Sequence, residues 1–115
     1  MNMKLPRPIQ TYFEATNAAD RQAFLSAFAA DAVVIDEGKE KRGHDAIREW
    51  GEKTHFADNL VLTVTNVVEK EKGMLVTAKA EGDFDKTGLP DPCLLDFDFA
   101  LAGEKIARLE IVLTP

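Results

Sequence analysis

The sequence contains very few of the residues that bind metal ions or form covalent cross-links. It has one cysteine, Cys93, and two histidines, His44 and His55, among 115 residues. One cysteine cannot form an intrachain disulfide, and the two histidines show no recognisable metal-ligand spacing. Cys93 precedes two leucines, which favours a small buried apolar residue over a nucleophile. We therefore expect neither a metal site nor a cofactor.

Long hydrophobic runs and an excess of positive charge are also missing. No run approaches the length that spans a membrane, and the first ten residues lack the apolar core of a signal peptide. The net charge is -6 and the sequence pI is about 4.9. An acidic surface disfavours nucleic acid and anionic membranes as partners. The sequence therefore predicts a cytoplasmic protein that binds neither nucleic acid nor membrane.

The first third of the chain has hydrophobic residues at the spacing of helices. Apolar residues account for 45% of the chain, enough for a core. One face of a first helix carries Ile9, Tyr12, Phe13 and Thr16. Asp20 is a good N-cap for a second helix. The buried stripe and the closing residue predicted for that helix are Phe24, Leu25, Phe28 and Asp31.

A short strand, a charged loop and a third helix follow. The β-branched run at residues 32–36 predicts a strand. Residues 37–43 are charged and bracketed by two glycines, so they predict a loop. Ile47 and Trp50 lie three apart, on one face of a helix predicted over residues 45–54. Trp50 has two interpretations, a core residue or a platform for a ligand.

Beyond Asn59 the hydrophobic pattern changes to the period of two that marks strands. Alternating residues and turn signals predict four strands, at residues 60–67, 74–81, 94–101 and 105–113. Helices followed by an antiparallel meander place the chain in the α+β class, with the helices against one face of a curved sheet. No segment is of low complexity, so one domain over residues 1–115 is expected.

Asp36 lies where the first strand meets the charged loop. A carboxylate at the end of a strand has two common roles. It is a general base at the mouth of a pocket, or it is a turn residue that hydrogen-bonds its own backbone. The local sequence alone favours the turn residue, and the rest of the chain changes that balance.

The strand predicted over residues 94–101 has two chemically different faces. One face carries Leu95, Phe97, Phe99 and Leu101, and the other carries Leu94, Asp96, Asp98 and Ala100. In one interpretation the phenylalanines lie in the core and the aspartates in water. In the other, the aspartates line a pocket under the helices, and a second subunit covers the apolar face. The alternation alone favours the first interpretation.

Several segments resemble the nuclear transport factor 2-like superfamily, and within it the SnoaL-like and ketosteroid isomerase-like proteins. They are DRQAF at residues 20–24, FAADAV at 28–33, RGHDAIREW at 42–50, and FDF at 97–99 followed by GEKI at 103–106. The resemblance implies a cystatin-like cone, in which a curved sheet wraps around three helices and leaves a pocket at its open end. It also implies a homodimer through the outer sheet face, which turns Asp96 inward. The implied interface residues are Leu95, Phe97, Phe99 and Leu101.

The same resemblance implies three catalytic residues. Tyr12 stands eight residues before Asp20, and Asp96 stands nine before Lys105. Ketosteroid isomerases have a tyrosine and an aspartic acid at similar spacings, and Asp36 matches the aspartate that ends their first strand. In their mechanism the aspartate removes a proton next to a carbonyl, while the phenol and a protonated carboxyl hydrogen-bond the enolate oxygen. The implied ligand contacts are Phe13, Phe28, Trp50, Phe56, Asp98, Leu109 and Ile111.

The implied ligand is a small apolar molecule, steroid-like or polyketide-like, and no cofactor is implied. The superfamily contains enzymes as well as binding modules. The chain is therefore expected to be either a proton-transfer enzyme, an isomerase or a polyketide cyclase, or a non-catalytic ligand-binding or dimerisation module. His55 also has two interpretations. It is a general acid–base, as in a SnoaL-like cyclase, or a surface residue at a helix C-terminus, which the sequence favours.

Overall fold

Residues 5–115, which a computed structural model describes, form three helices and a six-stranded sheet. The helices are α1 (Arg7–Ala18), α2 (Arg21–Ser26) and α3 (His44–Gly51), and a π-helical turn (Glu52–Phe56) continues α3. The strands are β1 (Phe28–Asp36), β2 (Lys39–Arg42), β3 (Val61–Lys70), β4 (Gly73–Glu81), β5 (Leu94–Ala102) and β6 (Lys105–Leu113). The predicted α+β class is confirmed.

Local signals in the sequence position the first two helices. The buried face of α1 includes all four of the predicted residues, Ile9, Tyr12, Phe13 and Thr16. α1 ends at Ala18, and the φ of the following Ala19 is 54°, a left-handed conformation that is common just after a helix. Asp20 caps α2 as predicted, because its carboxylate accepts the amide N–H of Ala23 at 3.1 Å. Among residues 5–115, no helix has the length and apolar character needed to cross a membrane.

The second helix is shorter than the sequence predicts. It ends at Ser26, and both Phe28 and Asp31 lie in strand β1. The reason is the sheet. The amide of Ile106 in β6 donates to the carbonyl of Ala27 at 2.9 Å, and Phe28 pairs with Ile106. The backbone after Ser26 is therefore hydrogen-bonded to a strand and is not available to continue a helix.

The charged segment after β1 is a β-hairpin, so the prediction of a loop is wrong. Strand β2 pairs antiparallel with the end of β1, with Lys39 opposite Asp36. The two residues of the turn, Glu37 and Gly38, have φ angles of 54° and 75°. Two positive φ angles are typical of the tight turns that match the twist of a hairpin. Asp36 therefore lies directly before a short, well-defined turn.

The sheet is mixed, which corrects the prediction of an antiparallel sheet at one pair. The strand order is β2-β1-β6-β5-β4-β3. Strands β1 and β6 run parallel, and the other neighbours run antiparallel. The first and last strands of the chain therefore meet in the middle of the sheet. Register shifts in β1, β3 and β5 interrupt the ladder, and irregularities of this kind bend a sheet.

Strand β5 turns its phenylalanines towards the helices. Phe97 and Phe99 are each 1% exposed, and their ring centres lie 6.0 and 5.6 Å from that of Tyr12. Burying each ring stabilises the fold by about 2–3 kcal/mol, whereas burying the carboxylates of Asp96 and Asp98 would be costly. The interpretation in which Asp96 faces inward and these phenylalanines form a subunit interface is therefore wrong. The other two predicted interface residues also pack against the core; they are Leu95 and Leu101.

Candidate active site

A cavity of about 580 Å³ lies between the end of β1, the π-helical turn and the segment that joins β4 to β5. Its apolar wall consists of Leu60, Ala80, Phe84, Leu89, Cys93, Leu95, Phe97, Ile111, Val112 and Leu113. Its polar side chains are Asp36, Glu37, Thr54, His55, Asp58 and Asp85. Among the residues that the structure describes, no lysine or arginine lines this cavity. A cleft of this size and character suits a small, largely apolar ligand.

Asp36 is the carboxylate best placed to act at this cleft. It is half-buried at the end of β1, and its Oδ2 accepts a hydrogen bond from Trp50 Nε1 at 2.9 Å. Burial raises the pKa of Asp36 and the charge of Glu37 adds to this, while the Trp50 hydrogen bond and the charge of Lys41 oppose it. A carboxylate with a fixed orientation and a raised pKa is suited to general-base catalysis.

Trp50 connects this carboxylate to the core. The residue is 4% exposed, and its ring centre lies 4.6 Å from that of His55 at an interplanar angle of 61°. The indole therefore packs as a core residue, while its one polar atom serves the site. Asp36 and Trp50 also border a smaller cleft, whose further residues are Glu37, Lys39, Lys41, Ala46, Glu49, Lys53 and Thr54.

His55 is buried, and the interpretation as a surface residue is wrong. It is 3% exposed, because the π-helical turn after α3 directs it towards the core. Its Nε2 lies 2.7 Å from the hydroxyl of Tyr12, and its Nδ1 lies 2.7 Å from Oγ1 of Thr54. Burial lowers the pKa of His55 to about 3. The imidazole is therefore neutral at neutral pH.

The hydrogen bonds around His55 assign its tautomer. The Thr54 hydroxyl has one proton, which it donates to the carbonyl of Trp50 at 2.7 Å. Nδ1 of His55 then donates to Thr54 Oγ1, and Nε2 accepts the hydroxyl proton of Tyr12. Both nitrogens are occupied inside the core. This arrangement and the low pKa make His55 a poor general acid–base at neutral pH.

The structure does not bring the three predicted catalytic residues together. Tyr12 is 0% exposed and lies outside the cleft wall, and its hydroxyl is bonded to His55. Asp96 lies on the outer sheet face, where its Oδ1 accepts the hydroxyls of Thr77 and Thr114, both at 2.8 Å. The enolate-binding role implied for Tyr12 and Asp96 is therefore corrected, because one is occupied in the core and the other faces away. Of the three predicted catalytic residues, Asp36 is the one that lines the cleft.

Comparison with known proteins agrees with this fold. The sequence model of the SnoaL-like domain matches residues 9–109, which is most of the chain. The chain belongs to the SnoaL-like domain family. Among proteins with curated functional descriptions, none matches this SnoaL-like domain in sequence.

Several solved structures resemble this SnoaL-like domain. A candidate polyketide cyclase from Sinorhizobium meliloti is 34% identical, with a TM-score of 0.84 over 94% of this chain and 95% of that chain. A protein with a ketosteroid isomerase-like fold from Catenulispora acidiphila, in complex with trimethylamine, is 22% identical, with a TM-score of 0.79 over 95% and 86%. A Mycobacterium tuberculosis protein in complex with estradiol-17β-hemisuccinate is 16% identical, with a TM-score of 0.77 over 96% and 95%. The last two show the fold alone.

The predicted ligand contacts lie in several different places in the SnoaL-like domain. Ile111 lines the cleft, and Trp50 lies behind the carboxylate it holds. Phe13, Phe28 and Leu109 are core residues instead of cleft residues, since the centre of the fold is filled with aromatic and aliphatic side chains around the Tyr12 ring. The Phe13 and Phe28 rings lie 5.1 and 6.0 Å from it, and Leu109 is fully buried.

Two further predicted contacts lie on other surfaces of the domain. Phe56 borders a groove between α2 and α3, and the guanidinium of Arg21 lies 4.8 Å from its ring centre. Asp98 is on the outer sheet face and pairs with Lys70 at 2.9 Å. Both are directed away from the cleft by the elements that carry them. Within residues 5–115, no three histidine, cysteine, aspartate or glutamate side chains are grouped as a metal site requires.

The sequence interpretation missed the segment that joins β4 to β5, residues 82–93. Its side chains Phe84 and Leu89 line the cleft. The amide of Asp83 donates to the carbonyl of Asp58 at 2.7 Å, which ties this segment to the chain after the π-helical turn. A signal was present, because Phe84 and Leu89 are apolar residues in a polar loop rich in proline and glycine. Such side chains need another surface to cover them.

Proposed function

We propose that this SnoaL-like domain is a small-molecule enzyme that moves a proton at the carbon next to a carbonyl group, with Asp36 as the general base. The observation that carries the proposal is the Trp50–Asp36 hydrogen bond of 2.9 Å at the rim of the apolar cleft. The bond holds one carboxylate oxygen in place, and the group remains partly exposed to the cleft. A base must be fixed at hydrogen-bond distance from the proton it removes.

The proposed step conserves atoms and charge. The carboxylate of Asp36 takes the proton of the substrate C–H bond, and the electron pair of that bond moves to the carbonyl oxygen to form an enolate. If the enolate is conjugated with a C=C bond, return of the proton from the carboxyl group to a different carbon completes an isomerisation. Alternatively, the enolate carbon attacks a second carbonyl of the same molecule, and the alkoxide that forms takes the proton from the carboxyl group, which closes a ring. Burial raises the pKa of Asp36, and a higher proton affinity makes the carboxylate a stronger base near neutral pH.

The proposed substrate is an uncharged, largely apolar ring compound that carries a ketone. The described cleft residues include no lysine or arginine that would neutralise an anion. The wall is aromatic and aliphatic, as in sites that bind ring systems. The solved structures support this class, since a protein of the same fold is in complex with a steroid ester. The 34% identical candidate polyketide cyclase also points to ketone chemistry.

Asp36→Asn tests the proposal directly. The probe is 2-tetralone in D₂O, whose protons next to the ketone exchange for deuterium when the enolate forms. We expect the wild type to accelerate the loss of these proton signals in NMR spectra. We expect Asp36→Asn to lower the enzymatic rate at least about 100-fold, because a positioned general base contributes 10²–10⁴-fold.

The matched control is Asp96→Asn, which makes the same chemical change on the outer sheet face. Because Asp96 bonds only Thr77 and Thr114 there, its replacement should leave the exchange rate unchanged. An exchange rate that survives in Asp36→Asn would remove Asp36 from the mechanism. Binding of 2-tetralone to the wild type without any exchange would favour the alternative of a non-catalytic binding module.

A homodimer through the outer sheet face remains part of the proposal, with different contact residues. The outward side chains of the sheet include the apolar one of Val68, which is 48% exposed. Val68 pairs with Leu75, and charges of both signs lie beside them on Lys70 and Asp98. A face that carries apolar side chains and both charges is compatible with a second copy of itself.

Sedimentation at micromolar concentration tests the dimer. We expect a mass of twice the 12.7 kDa of the chain. Val68→Glu should shift the mass to 12.7 kDa, because it places a desolvated charge in the interface. Gln22→Glu, on an exposed position of helix α2 and away from the outer sheet face, shows whether any added charge has this effect. A wild-type mass of one chain at every concentration would rule the dimer out.

A further inference from the structure

We propose that His55 is a positioning residue, which clamps the indole of Trp50 and through it holds the Asp36 carboxylate in the cleft. The inference rests on the proposed role of Asp36 as the base. It assigns a purpose to a buried polar pair, His55 and Tyr12, that the proposed proton transfer itself does not use.

The π-helical turn is the first step of the argument. α3 ends at Gly51. Beyond it, the amide of Ala57 donates to the carbonyl of Glu52 at 2.9 Å, and the amide of Leu60 donates to the carbonyl of His55 at 2.8 Å. Both bonds span five residues. In an α-helix, two residues five apart lie about 140° apart around the axis. A π-helical turn contains more residues per turn than an α-helix, so it brings residues five apart towards one face. Trp50 and His55 are five residues apart, and the turn thereby places them side by side.

The hydrogen bonds then fix the imidazole in this place. Nε2 of His55 accepts the Tyr12 hydroxyl from α1, and Nδ1 donates to Thr54 Oγ1. Thr54 in turn donates to the carbonyl of Trp50 at 2.7 Å. A closed chain of contacts thus connects the backbone of Trp50, the Thr54 hydroxyl, the imidazole and the indole. The imidazole ring has little freedom to rotate.

The fixed imidazole limits the movement of the indole. The two ring centres are 4.6 Å apart in an edge-to-face arrangement, and Phe24 lies on the indole at 6.1 Å. Asp36 Oδ2 is the acceptor of the buried indole N–H. Rotation of the indole would break that bond and leave the N–H without a partner. The direction of the carboxylate therefore depends on the packing of His55 against Trp50.

The chemistry of position 55 supports a positioning role over simple core filling. A phenylalanine there would fill similar space with no polar atom to satisfy, whereas histidine needs partners from both α1 and the π-helical turn. π-helical turns are rare and occur frequently at functional sites. Every described buried side-chain polar atom, including those of Tyr12 and His55, has a hydrogen-bond partner. The polar arrangement is therefore complete.

The pKa of Asp36 tests the inference without any substrate. It is followed through the ¹³C chemical shift of the Asp36 carboxyl group as a function of pH. Trp50→Phe removes a hydrogen bond that stabilises the charged form, so the pKa of Asp36 should rise. The double variant Tyr12→Phe/His55→Phe should also raise the pKa of Asp36, because the indole that donates to the carboxylate is then held less firmly. The other charged groups around the carboxylate stay unchanged in these variants; they are Glu37, Lys39, Lys41, Glu49 and Lys53.

The double variant is the matched choice because it removes both members of the Tyr12–His55 hydrogen bond and leaves no buried polar atom without a partner. Combined with Trp50→Phe, it should produce no further rise in the pKa of Asp36, since the indole is then absent. The exchange of 2-tetralone protons should fall about tenfold in the double variant, because a base displaced by a fraction of an ångström reacts more slowly. The acid limb of the pH–rate profile should move to higher pH.

A folded double variant with an unchanged pKa of Asp36 would overturn the inference and show that His55 only fills the core. If the double variant does not fold, Thr54→Val answers the same question. It keeps the side-chain shape and removes the hydroxyl that holds Nδ1, so the pKa of Asp36 should again rise. A wild type that never exchanges 2-tetralone protons would defeat the proposed function alone, since the pKa measurements need no substrate.

Discussion

Acidification from pH 6.5 to about pH 3 should lower the free energy of unfolding by about 4 kcal/mol through His55 alone. Its pKa lies near 6.5 in the unfolded chain and at about 3 in the fold, because burial disfavours the charged form. In this window the unfolded state binds a proton that the folded state does not, so stability falls as the pH falls. Each unit of difference between the two pKa values corresponds to 1.36 kcal/mol. Above pH 6.5 the contribution of His55 does not change.

The hydrogen bonds explain why the folded state resists this proton. Nε2 of His55 accepts the Tyr12 hydroxyl, and a protonated imidazole has no acceptor. Protonation would therefore reverse the bond to Tyr12, leave the Tyr12 hydroxyl proton without its acceptor, and place an unpaired charge in the aromatic core. Asp36 acts in the opposite direction. Burial raises its pKa in the fold, so its own contribution to stability increases as the pH falls through that value.

Urea unfolding at pH values from 7 to 4 measures the effect, with Tyr12→Phe/His55→Phe as the reference. Both proteins also carry Asp36→Asn, because the double variant is expected to change the pKa of Asp36 in the fold, and the remaining carboxylates are present in both. The difference between the two stability curves therefore isolates the histidine. It should be constant above pH 6.5 and change by roughly 1.4 kcal/mol per pH unit below it. Parallel curves down to pH 4 would show that His55 is already protonated or solvated in the fold.

Much of the fold could be predicted because its signals are local. The spacing of Ile9, Tyr12, Phe13 and Thr16 identifies the buried face of α1 without knowledge of its partner. Asp20 caps α2 through its own neighbours, and period-two alternation identifies the four C-terminal strands. The parallel pairing of β1 with β6 could not be predicted in this way. It joins strands from opposite ends of the chain, and no local pattern specifies that contact.

The faces of β5 show a second limit. Alternation shows that Phe99 and Asp98 point to opposite sides, and alone it favours the phenylalanines for the side that the helices cover. The family resemblance favoured the aspartates, and the structure favours the phenylalanines because Tyr12 and Phe13 need aromatic partners. The resemblance, carried over at the spacing to Lys105, thus placed Asp96 in a role for which its position in the fold is unsuitable.

The candidate site could be predicted only in part. Asp36 was identifiable as a polar residue at the end of an apolar strand. Its bond to Trp50 spans fourteen residues and depends on how α3 packs against the sheet. His55 was misplaced because a helix of period 3.6 was assumed beyond Gly51, and the π-helical turn has no signature in hydrophobic spacing.

Replacing Phe99 by alanine should lower the free energy of unfolding by about 3–5 kcal/mol. Phe99 is 1% exposed, packs against Tyr12 and Phe13 at ring distances of 5.6 and 5.8 Å, and lies outside the cleft wall. Its loss should therefore reduce stability and leave the chemistry of the cleft intact. Guanidinium unfolding followed by circular dichroism measures the change.

The neighbouring Asp98→Ala is the control that decides which face of β5 is inside. Asp98 pairs with Lys70 in a bridge whose side chains are 36% and 47% exposed, and such bridges contribute at most about 1 kcal/mol. If the aspartate face were buried instead, Asp98→Ala would lower the free energy of unfolding more than Phe99→Ala. Phe99→Ala would then mainly dissociate subunits, and Asp98→Ala would change the stability of each subunit. A large loss in Phe99→Ala with a small one in Asp98→Ala is the expected result, because the core needs the ring at its centre.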